Sequence, residues 1–478
     1  MKNIYKLVIV LILLGILLSL PSLFTLIENK TAFGIISENY YFIGNISLVS
    51  SVVGAIIFGL IIICMFYIYN KLISNSDKFR SIKSILIVCL LIGIVFSICL
   101  PNTSSDLFYY MGTGRIAQKY ELNPYYVTIK QARQSGINDQ ILNNSGVWEY
   151  TTVVYGPIWV TLTLIFNKLC FNSITILLYI FKTMSLVMYL LTTWVIYKLT
   201  KKKKFAIMFA LNPLVILEVL VNCHNDIYVL FLILLGILFI KEAQKGSSIL
   251  KRNVFVLTGI MCFAISVAIK YIALIVWPFI ILYYLKDRKI KHKIWIGLLY
   301  TVIFIAIILA LYLPWFSSWT DSIFGIFAQQ GKVKDSIYLT IITLIGNNNK
   351  ITDYIFSSIF FIAMYVAIVM LFKQIFRETT FGKTMKRIYA LLLLLIFGII
   401  TNLTSWYLIW LFIPFVWLSA KDMKNIMWLQ FSYEITYIIF IYKHINDYEY
   451  EVFVLPFIAI IMLMRWAILR QKKIANKR

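Results

Sequence analysis

Charged side chains are scarce in this chain. Only 14% of its 478 residues are Asp, Glu, Lys or Arg, whereas 61% are hydrophobic and the mean hydropathy is +0.86. A soluble fold of this length needs far more polar surface, so the composition excludes a soluble globular protein. Apolar runs near or above the roughly 20 residues that cross a bilayer recur from end to end. We therefore predict an all-α polytopic membrane protein.

Other patterns are also missing, and each absence excludes a class of protein or site. The chain lacks the roughly ten-residue alternating segments of a membrane β-barrel. Its 6 cysteines lie within or beside apolar segments, without disulfide-like spacing or a Cys-x-x-Cys metal pattern. We find no Gly-rich phosphate loop, zinc signature or Ser-His-Asp pattern. "MGTGRIA" (111–117) lacks the preceding strand and the third glycine of a dinucleotide-binding fingerprint.

The net charge of +25 comes from Lys and Arg in short loops between apolar runs. This clustering indicates membrane topology, because cytoplasmic loops carry an excess of Lys and Arg. No soluble basic face is left for nucleic acid, so we expect none as a partner. The expected partners include the lipid bilayer of the cell (plasma) membrane. If both termini are cytoplasmic, the strongly basic loops 201–204, 286–293 and 377–387 all lie inside, and the acidic residues mostly lie outside.

The apolar segments predict about fourteen transmembrane helices. The first has a basic start, is too long for a signal-peptide core and is not followed by a small-x-small cleavage site. No soluble domain or linker is evident, so residues 1–478 are predicted to form a single membrane-embedded domain. The predicted spans are 5–27, 49–70, 83–101, 173–199, 205–221, 227–240, 254–269, 271–285, 294–313, 354–373, 388–403, 407–420, 425–442 and 452–469.

One segment, "GPIWVTLTLIFNKL" (156–169), decides the topology because it is apolar enough for half a span. A full span there would place 201–204 outside and invert every later loop. We expect it to lie along the outer membrane face as an interfacial helix, with a re-entrant or short true span as the alternative. The outer regions 102–172 and 314–353 are then large, and long ordered loops are usually functional.

The first outer region opens with "SSDLFYYMGTGRIAQKYELNPYY" (104–126). Asp106 follows the third predicted span, Tyr109 comes at helical spacing, and Arg115 lies about two and a half turns further on. Pro124 ends the helix, since the residue before a proline is pushed away from the helical conformation. The residues alone allow two interpretations of Asp106, an N-cap on an interfacial helix and a catalytic carboxylate.

The stretch "VNCHNDIYVL" (221–230) places His224, Asn225 and Asp226 in a tight turn between two apolar runs. Turns favour Asn and Asp in any case, but these three side chains also offer a base, an amide and an acid. Glu218 lies about two turns earlier inside a predicted span. A carboxylate there must pair, be protonated or line a polar cavity.

Two cations and two aromatic residues share the predicted outer side. Lys182 lies in the outer half of span 173–199, and Lys270 lies at an outer turn. Both lysines either snorkel to the interface or bind an anionic lipid phosphate. Trp406 and Tyr407 lie at another outer turn, where aromatic residues are expected in any membrane protein. They gain functional interest only if they lie beside the acids.

Several motifs occur together and in order: "DLFYYMGTGRIAQKYELNPY", "VYGPIW", "LNPLVILEVLVNCHND", "AIKYIALIVWPF", "LYLPWFSSW" and "SWYLIW". Over roughly 83–420 the chain resembles the GT-C integral-membrane glycosyltransferases. Within them it is most similar to the polyprenyl-phosphate-mannose-dependent α-1,6-mannosyltransferases. The resemblance implies outer-face juxtamembrane helices in the first large loop, and it matches Asp106 to the family's essential carboxylate. The chain departs from the family at Cys223, where glycine is common.

The resemblance implies a glycosyltransferase that moves a mannose-like hexose from a polyprenyl-phosphate donor to a cell-envelope glycan or glycolipid, with inversion. Asp106 is the expected catalytic base. Asp226 either binds sugar hydroxyls, orients His224 or holds a divalent metal; no other cofactor is expected. The alternatives are a transporter or flippase, or a polymerase or ligase, of lipid-linked glycans. Predicted to bind the donor phosphate or substrate are Arg115, Lys182, His224, Asn225, Asp226, Lys270, Tyr109, Tyr155, Trp406 and Tyr407.

Overall fold

The computed structural model describes residues 2–28, 48–146, 148–316, 349–377, 379–400, 403–438 and 457–466. Throughout these residues the regular backbone is helical and no β-strand occurs, which confirms the predicted all-α class. Most of the predicted second outer loop, 317–348, lies outside the described residues. The same holds for parts of the last two predicted spans, within 439–456 and 467–478.

Nineteen α-helices of very different length make up the described residues. In chain order they are α1 Lys2–Glu28, α2 Leu48–Ser74, α3 Ile82–Ile98, α4 Asp106–Lys119, α5 Ile129–Gln134, α6 Gln140–Asn143, α7 Pro157–Leu169, α8 Ile174–Thr200, α9 Lys203–Ala210, α10 Pro213–Val215, α11 Asp226–Lys245, α12 Ile249–Val267, α13 Ala273–Tyr284, α14 Ile290–Tyr312, α15 Asn349–Phe376, α16 Phe381–Leu394, α17 Phe412–Phe415, α18 Ala420–Thr436 and α19 Phe457–Trp466. Tighter and wider turns add the 3₁₀ helices Ser76–Lys78, Leu313–Trp315 and Ser405–Leu411, and the π-helical segments Ile216–Val221 and Leu395–Ile399.

Five described helices are long and apolar enough to cross a membrane, and a bent pair makes a sixth candidate. The chain is therefore a helical membrane protein, but the described helices do not reach the predicted count of about fourteen. The five are Ile56–Ser74, Ile174–Thr200, Ile249–Val267, Ile290–Trp315 and Tyr354–Phe376.

Several predicted spans are interrupted for local reasons. The run 205–221 breaks before Pro213 because Asn212 takes an extended conformation (φ −69°, ψ 125°) and accepts a hydrogen bond from the Leu214 amide. The two halves, Lys203–Ala210 and Pro213–Val221, differ in direction by 53°. The run 407–420 begins as a 3₁₀ helix and continues as the four-residue α17. Apolar composition in the sequence therefore overstated the number of long straight helices.

Segment 156–169 forms α7, a helix of 13 residues. At 1.5 Å per residue it is about 20 Å long, shorter than the ~30 Å hydrocarbon core. A straight full span is therefore excluded by length, and the interfacial position stays a prediction. α7 packs along α4, and a Cβ on Gly114 would lie 2.3 Å from the Thr163 carbonyl oxygen. Glycine thus allows the close contact of α4 with α7.

Candidate active site

Asp106 is the first residue of α4 and is 5% exposed. The N-cap position belongs to Ser105, and the Asp106 side chain points instead to aromatic donors. Its Oδ1 accepts a hydrogen bond from the Trp148 indole at 2.9 Å, and its Oδ2 accepts from the Tyr155 hydroxyl at 3.4 Å. The Tyr110 hydroxyl also lies 3.4 Å from Oδ2. The carboxylate is therefore positioned by three different parts of the first loop.

His224 lies between two carboxylates. Its Nδ1 is 3.6 Å from Asp106 Oδ2, and its Nε2 is 3.2 Å from Glu218 Oε2. The Trp406 ring stacks on the imidazole with the ring centroids 3.8 Å apart and the planes 17° apart. The imidazole is fully buried, so its orientation is fixed by these three neighbours. The structure thus joins Asp106 to the predicted His-Asn-Asp turn.

The backbone of that turn explains how His224 reaches Asp106. The π-helical segment Ile216–Val221 ends with the Asn222 amide donating to the Leu217 carbonyl, and the His224 amide then donates to the Glu218 carbonyl at 3.0 Å. Between them Cys223 has φ +59°, in the left-handed region that favours glycine.

Glu218 is fully buried and takes part in a network of hydrogen bonds. Its Oε1 accepts from the Ser405 hydroxyl at 2.5 Å and from the Tyr437 hydroxyl at 2.8 Å. Its Oε2 accepts from the Asn222 amide at 2.9 Å, and Asn222 also donates to Thr103 Oγ1 at 2.6 Å. Glu218 is therefore held by hydrogen bonds as well as by His224, and this network ties the turn to the chain just before α4.

Asp226 and Lys270 form a second cluster beside the first. Lys270 Nζ lies 2.9 Å from both carboxylate oxygens of Asp226, and the Trp410 indole donates to Asp226 Oδ1 at 2.7 Å. The ammonium also lies 5.1 Å from the centre of the Tyr407 ring and 5.6 Å from that of Tyr155. The Lys270 side chain is 15% exposed, whereas Asp226 is fully buried. Asp226 therefore faces Lys270 and Trp410 in this arrangement.

Tyr155 connects the two clusters, because its hydroxyl donates to Asp106 and its ring faces Lys270. The next residue, Gly156, holds Tyr155 close to Lys270. Its amide donates to the carbonyl of Ile269, the residue before Lys270, at 3.0 Å. A Cβ on Gly156 would lie 2.3 Å from the Ala268 carbonyl oxygen, so a larger residue would push the loop away. The sequence motif "VYGPIW" thus contributes both a polar group and a close backbone contact.

The N-terminal part of the chain matches a known protein family. Residues 12–286 match the family model described as alpha-(1->6)-mannopyranosyltransferase, N-terminal domain. The chain belongs to this α-(1→6)-mannopyranosyltransferase family. The match covers more than half of the chain and includes Asp106, His224, Asp226 and Lys270. It confirms the resemblance to mannosyltransferases and identifies the protein as a glycosyltransferase. No curated protein and no solved structure gives a significant match.

Three residues predicted for the mannosyltransferase site lie elsewhere or have other partners. Arg115 donates through Nε and Nη2 to Asp139 Oδ2 at 3.0 and 2.9 Å, and it lies about 13 Å along α4 from Asp106. Lys182 is fully buried and donates to the backbone carbonyls of Cys99, Leu220 and Val221. The Tyr109 hydroxyl donates to the Thr151 carbonyl at 3.1 Å.

Asp139 holds together the loop that carries Arg115. Besides Arg115 it accepts from Lys119 Nζ at 3.0 Å, from the Tyr120 hydroxyl at 2.9 Å and from the Ile141 amide at 2.9 Å. Burial opposes its ionisation, but the two cations and the hydrogen bonds outweigh burial and lower its carboxyl pKa to about 2. Arg115 therefore stabilises the first loop through Asp139 and does not contact Asp106.

Asn225 lies between His224 and Asp226 in the turn. Asn225 is fully buried, and neither atom of its amide has a hydrogen-bond partner among the described residues. Such an amide is costly unless a ligand or water satisfies it, so it is a candidate for a sugar hydroxyl. Within the described parts of the chain, no group of three or more His, Cys, Asp or Glu is arranged to hold a metal. The nearest charged partner of Asp226 is a cation, which does not suit a metal site.

The sequence did not predict two residues that orient the carboxylates of the site, Trp148 and Trp410, because both are far from those carboxylates along the chain. Trp148 contacts Asp106 from 42 residues away, and Trp410 contacts Asp226 from 184 residues away. Trp148 lies outside the quoted motifs, and Trp410 is the last residue of "SWYLIW", where it is typical of an interfacial aromatic residue. Trp406 and Tyr407 lie in a predicted outer turn, and the structure places them against His224 and Lys270.

The charge on His224 leads to a pH prediction. Burial alone would lower its pKa, but the carboxylates of Asp106 and Glu218 outweigh burial and raise the pKa to about 9. A raised folded-state pKa adds stability that is fully present below the unfolded pKa near 6.5 and is lost as pH rises through 9. We expect the His224→Asn variant to have a lower thermal midpoint than the native protein at pH 6, and the difference to shrink by pH 10.

Thermal unfolding in one nanodisc preparation, followed from pH 6 to pH 10, measures this difference. The comparison with the variant removes the contributions of tyrosines and lysines that titrate in the same range. A difference between the two proteins that stays constant over the whole range would show that His224 is not charged in the folded state.

Proposed function

We propose that this mannosyltransferase transfers a mannosyl group from a polyprenyl-phosphate donor to a hydroxyl of a cell-envelope acceptor at the outer membrane face. The observation that carries the proposal is the juxtaposition, through Tyr155, of the Asp106 carboxylate and the partly exposed Lys270 ammonium. The Asp106 carboxylate can remove a proton, and the Lys270 ammonium can bind a phosphate. In this proposal the helical framework is of the GT-C type.

Asp106 acts as the general base. Burial opposes its ionisation, but the charges of His224 and Lys270 and the Trp148 indole lower the carboxyl pKa below its ordinary value. The side chain is therefore a carboxylate at neutral pH and can accept the proton of the acceptor hydroxyl. As that proton leaves, the acceptor oxygen bonds to the anomeric carbon, and the bond from that carbon to the phosphate oxygen breaks. A direct displacement of this kind inverts the anomeric centre.

The departing polyprenyl phosphate carries away the bonding electrons and needs a positive charge near it. Among the predicted cations, Arg115 and Lys182 are engaged by Asp139 and by backbone carbonyls. Lys270 is the predicted lysine whose side chain is partly exposed and lies beside the base. An ammonium can bind a phosphate as a point charge while keeping one carboxylate contact. Lys270 is thus the leading candidate for the donor phosphate.

A lipid-linked donor also suits the surroundings of the site. The chain before Asp106 follows the apolar helix α3. The turn with His224 follows the apolar bent pair that α9 and α10 begin. α11, which begins at Asp226, packs on the apolar helices α8 and α12. A sugar held on a lipid phosphate would reach these helix ends from the bilayer, whereas a water-soluble nucleotide sugar has no need of an apolar framework.

The test uses purified protein in nanodiscs with β-linked polyprenyl-phosphate mannose or GDP-mannose and an α-mannoside acceptor. We expect an α-1,6-linked product from the lipid donor alone, identified by mass spectrometry and by NMR of the anomeric proton. Transfer from GDP-mannose, or retention of the donor's anomeric configuration, would contradict the proposal. In proteoliposomes, movement of the lipid-linked sugar across the membrane without transfer would favour the flippase alternative.

A further inference from the structure

A narrow groove runs between α2 and α18, and it contains none of the residues assigned to mannosyl transfer. Its volume is about 200 Å³, below the range of compact small-molecule sites, so it suits a thin ligand such as an acyl chain. We call it the α2–α18 groove. Its apolar walls are formed by Ile63, Phe66, Tyr67, Met427, Trp428 and Phe431.

The spacing of the two walls is fixed by contacts between the helices. The Phe66 ring packs edge-on against the Phe431 ring, with the ring centroids 4.8 Å apart. The Asn212 amide donates to the Tyr69 hydroxyl at 3.3 Å and to Gln430 Oε1 at 2.8 Å, and it thereby ties α2 to α18. The groove is therefore preformed, and a ligand does not have to separate the helices.

The open side of the groove carries exposed apolar side chains. Ile63, Tyr67 and Trp428 are all exposed, and the first two belong to the candidate span Ile56–Ser74. Contiguous exposed apolar surface marks a site of protein or membrane contact, and on a membrane-spanning helix the neighbouring molecules are lipids. The groove thus opens toward the acyl chains of the bilayer.

Polar and cationic side chains complete the groove. Asn70, near the C-terminal end of α2, and Lys424, near the start of α18, belong to its lining, and both are exposed. Lys71 and Arg465 each lie over one of the aromatic rings of the groove, 5.4 and 5.6 Å from the ring centres. Among the described residues the lining contains no Asp or Glu. The positive charge of the groove is therefore unbalanced, which favours an anionic head group.

Contacts just after α2 show which side of the membrane this end of the helix faces. Lys203, in the basic loop 201–204, donates to the Asp77 carbonyl at 3.0 Å and also to the Phe79 carbonyl. The end of α2 therefore lies beside the Lys-rich loop. Loops rich in Lys and Arg mark the cytoplasmic side in the predicted topology, and the cytoplasmic leaflet is the one that carries anionic lipids.

We propose that the α2–α18 groove binds an anionic phospholipid of the cytoplasmic leaflet, with an acyl chain between the helices and the phosphate at Lys424. A zwitterionic phospholipid brings its own ammonium toward Lys424, Lys71 and Arg465, so it binds less tightly. The proposal is independent of the catalytic role of Asp106, because the lipid site and the proposed transfer site share no residue.

Native mass spectrometry of the full-length protein in detergent tests this proposal, with phosphatidylglycerol and phosphatidylcholine of identical acyl chains as the probes. We expect the native protein to bind phosphatidylglycerol at least about fivefold more tightly than phosphatidylcholine. Lys424→Met should weaken phosphatidylglycerol binding about fivefold, the usual contribution of one Lys near anionic lipid, and leave phosphatidylcholine binding unchanged. Lys251→Met removes an exposed cation near the start of α12, on the same predicted side, and should change neither affinity.

Equal affinity of the native protein for the two lipids would overturn the proposal, and so would equal phosphatidylglycerol binding by Lys424→Met and Lys251→Met. Glycerol phosphate, which has the anionic group without acyl chains, should not displace the lipid. Displacement by glycerol phosphate at a similar concentration would contradict the proposal, because the site would then bind a soluble anion. Lys424 is exposed, so its variant should keep the native thermal midpoint, and thermal unfolding of all three proteins checks this.

Discussion

Replacement of Asp106 by Asn lowers kcat for mannosyl transfer by about 10²–10⁴-fold, the usual contribution of one positioned base. An amide has the same shape and keeps an acceptor oxygen for the Trp148 indole, so the loop should stay in place. It cannot take a proton from the acceptor hydroxyl at neutral pH. Single-turnover transfer from polyprenyl-phosphate mannose, followed by mass spectrometry, measures the chemical step directly.

Two comparisons make this result specific to Asp106. Asp287→Asn makes the same chemical change at an exposed position far along the chain and should leave the rate unchanged. The KM for the lipid donor should change little in Asp106→Asn, because the phosphate is assigned to Lys270. A rate within a few-fold of the native enzyme in Asp106→Asn, with native thermal stability, would show that the base is another group.

The sequence predicted the helical class and the elements that carry the site, and the reasons are local. Asp106 at the start of α4 and the turn around His224 follow apolar runs, and turn residues mark such boundaries. Lengths of helices were harder to predict. Hydropathy reports how apolar a segment is, but the break before Pro213 and the 3₁₀ helix Ser405–Leu411 depend on backbone geometry. A count of apolar runs therefore exceeds the number of long helices.

The contacts within the site were only partly predictable. Asp106 and His224 could be named from the sequence because each lies in a short motif with unusual chemistry. Their contact spans 118 positions (224 − 106), and neither residue alone carries information about the other. The same reason explains why the partners of Lys182 and Arg115 could not be predicted. Each is a cation on the predicted outer side, where it could bind a phosphate. Nothing local in the sequence revealed Asp139 or the carbonyls of Leu220 and Val221.

The geometry also shows why residues outside the family match belong to the site. The match ends at residue 286, yet Ser405 binds Glu218 and Trp410 binds Asp226. Both contacts fix carboxylates whose other partners lie within the matched part. The 3₁₀ helix Ser405–Leu411 thus supports the site from the C-terminal part of the chain, and substitutions there should affect the orientation of His224 and Lys270.

Replacement of Lys270 by Met should lower both the stability of the protein and the rate of mannosyl transfer. The variant leaves the fully buried Asp226 with the Trp410 indole and without its cation. Removing one member of a buried ion pair leaves an uncompensated charge, so we expect the free energy of unfolding to fall by about 3–5 kcal/mol. Transfer should also be lost, because the ammonium that binds the donor phosphate is absent. Thermal unfolding in nanodiscs and transfer from the lipid donor measure the two effects.

The double variant Asp226→Asn/Lys270→Met separates structure from binding, since it removes both charges together. Without a lone buried carboxylate, most of the lost stability should return, and the carbonyl oxygen of the substituted amide can still accept from Trp410. Transfer should nevertheless stay far below the native rate, with a raised KM for the lipid donor, because the double variant still has no cation at this position. If the double variant instead regained both stability and transfer, Lys270 would serve only to neutralise Asp226, and the phosphate would have to be bound by another residue.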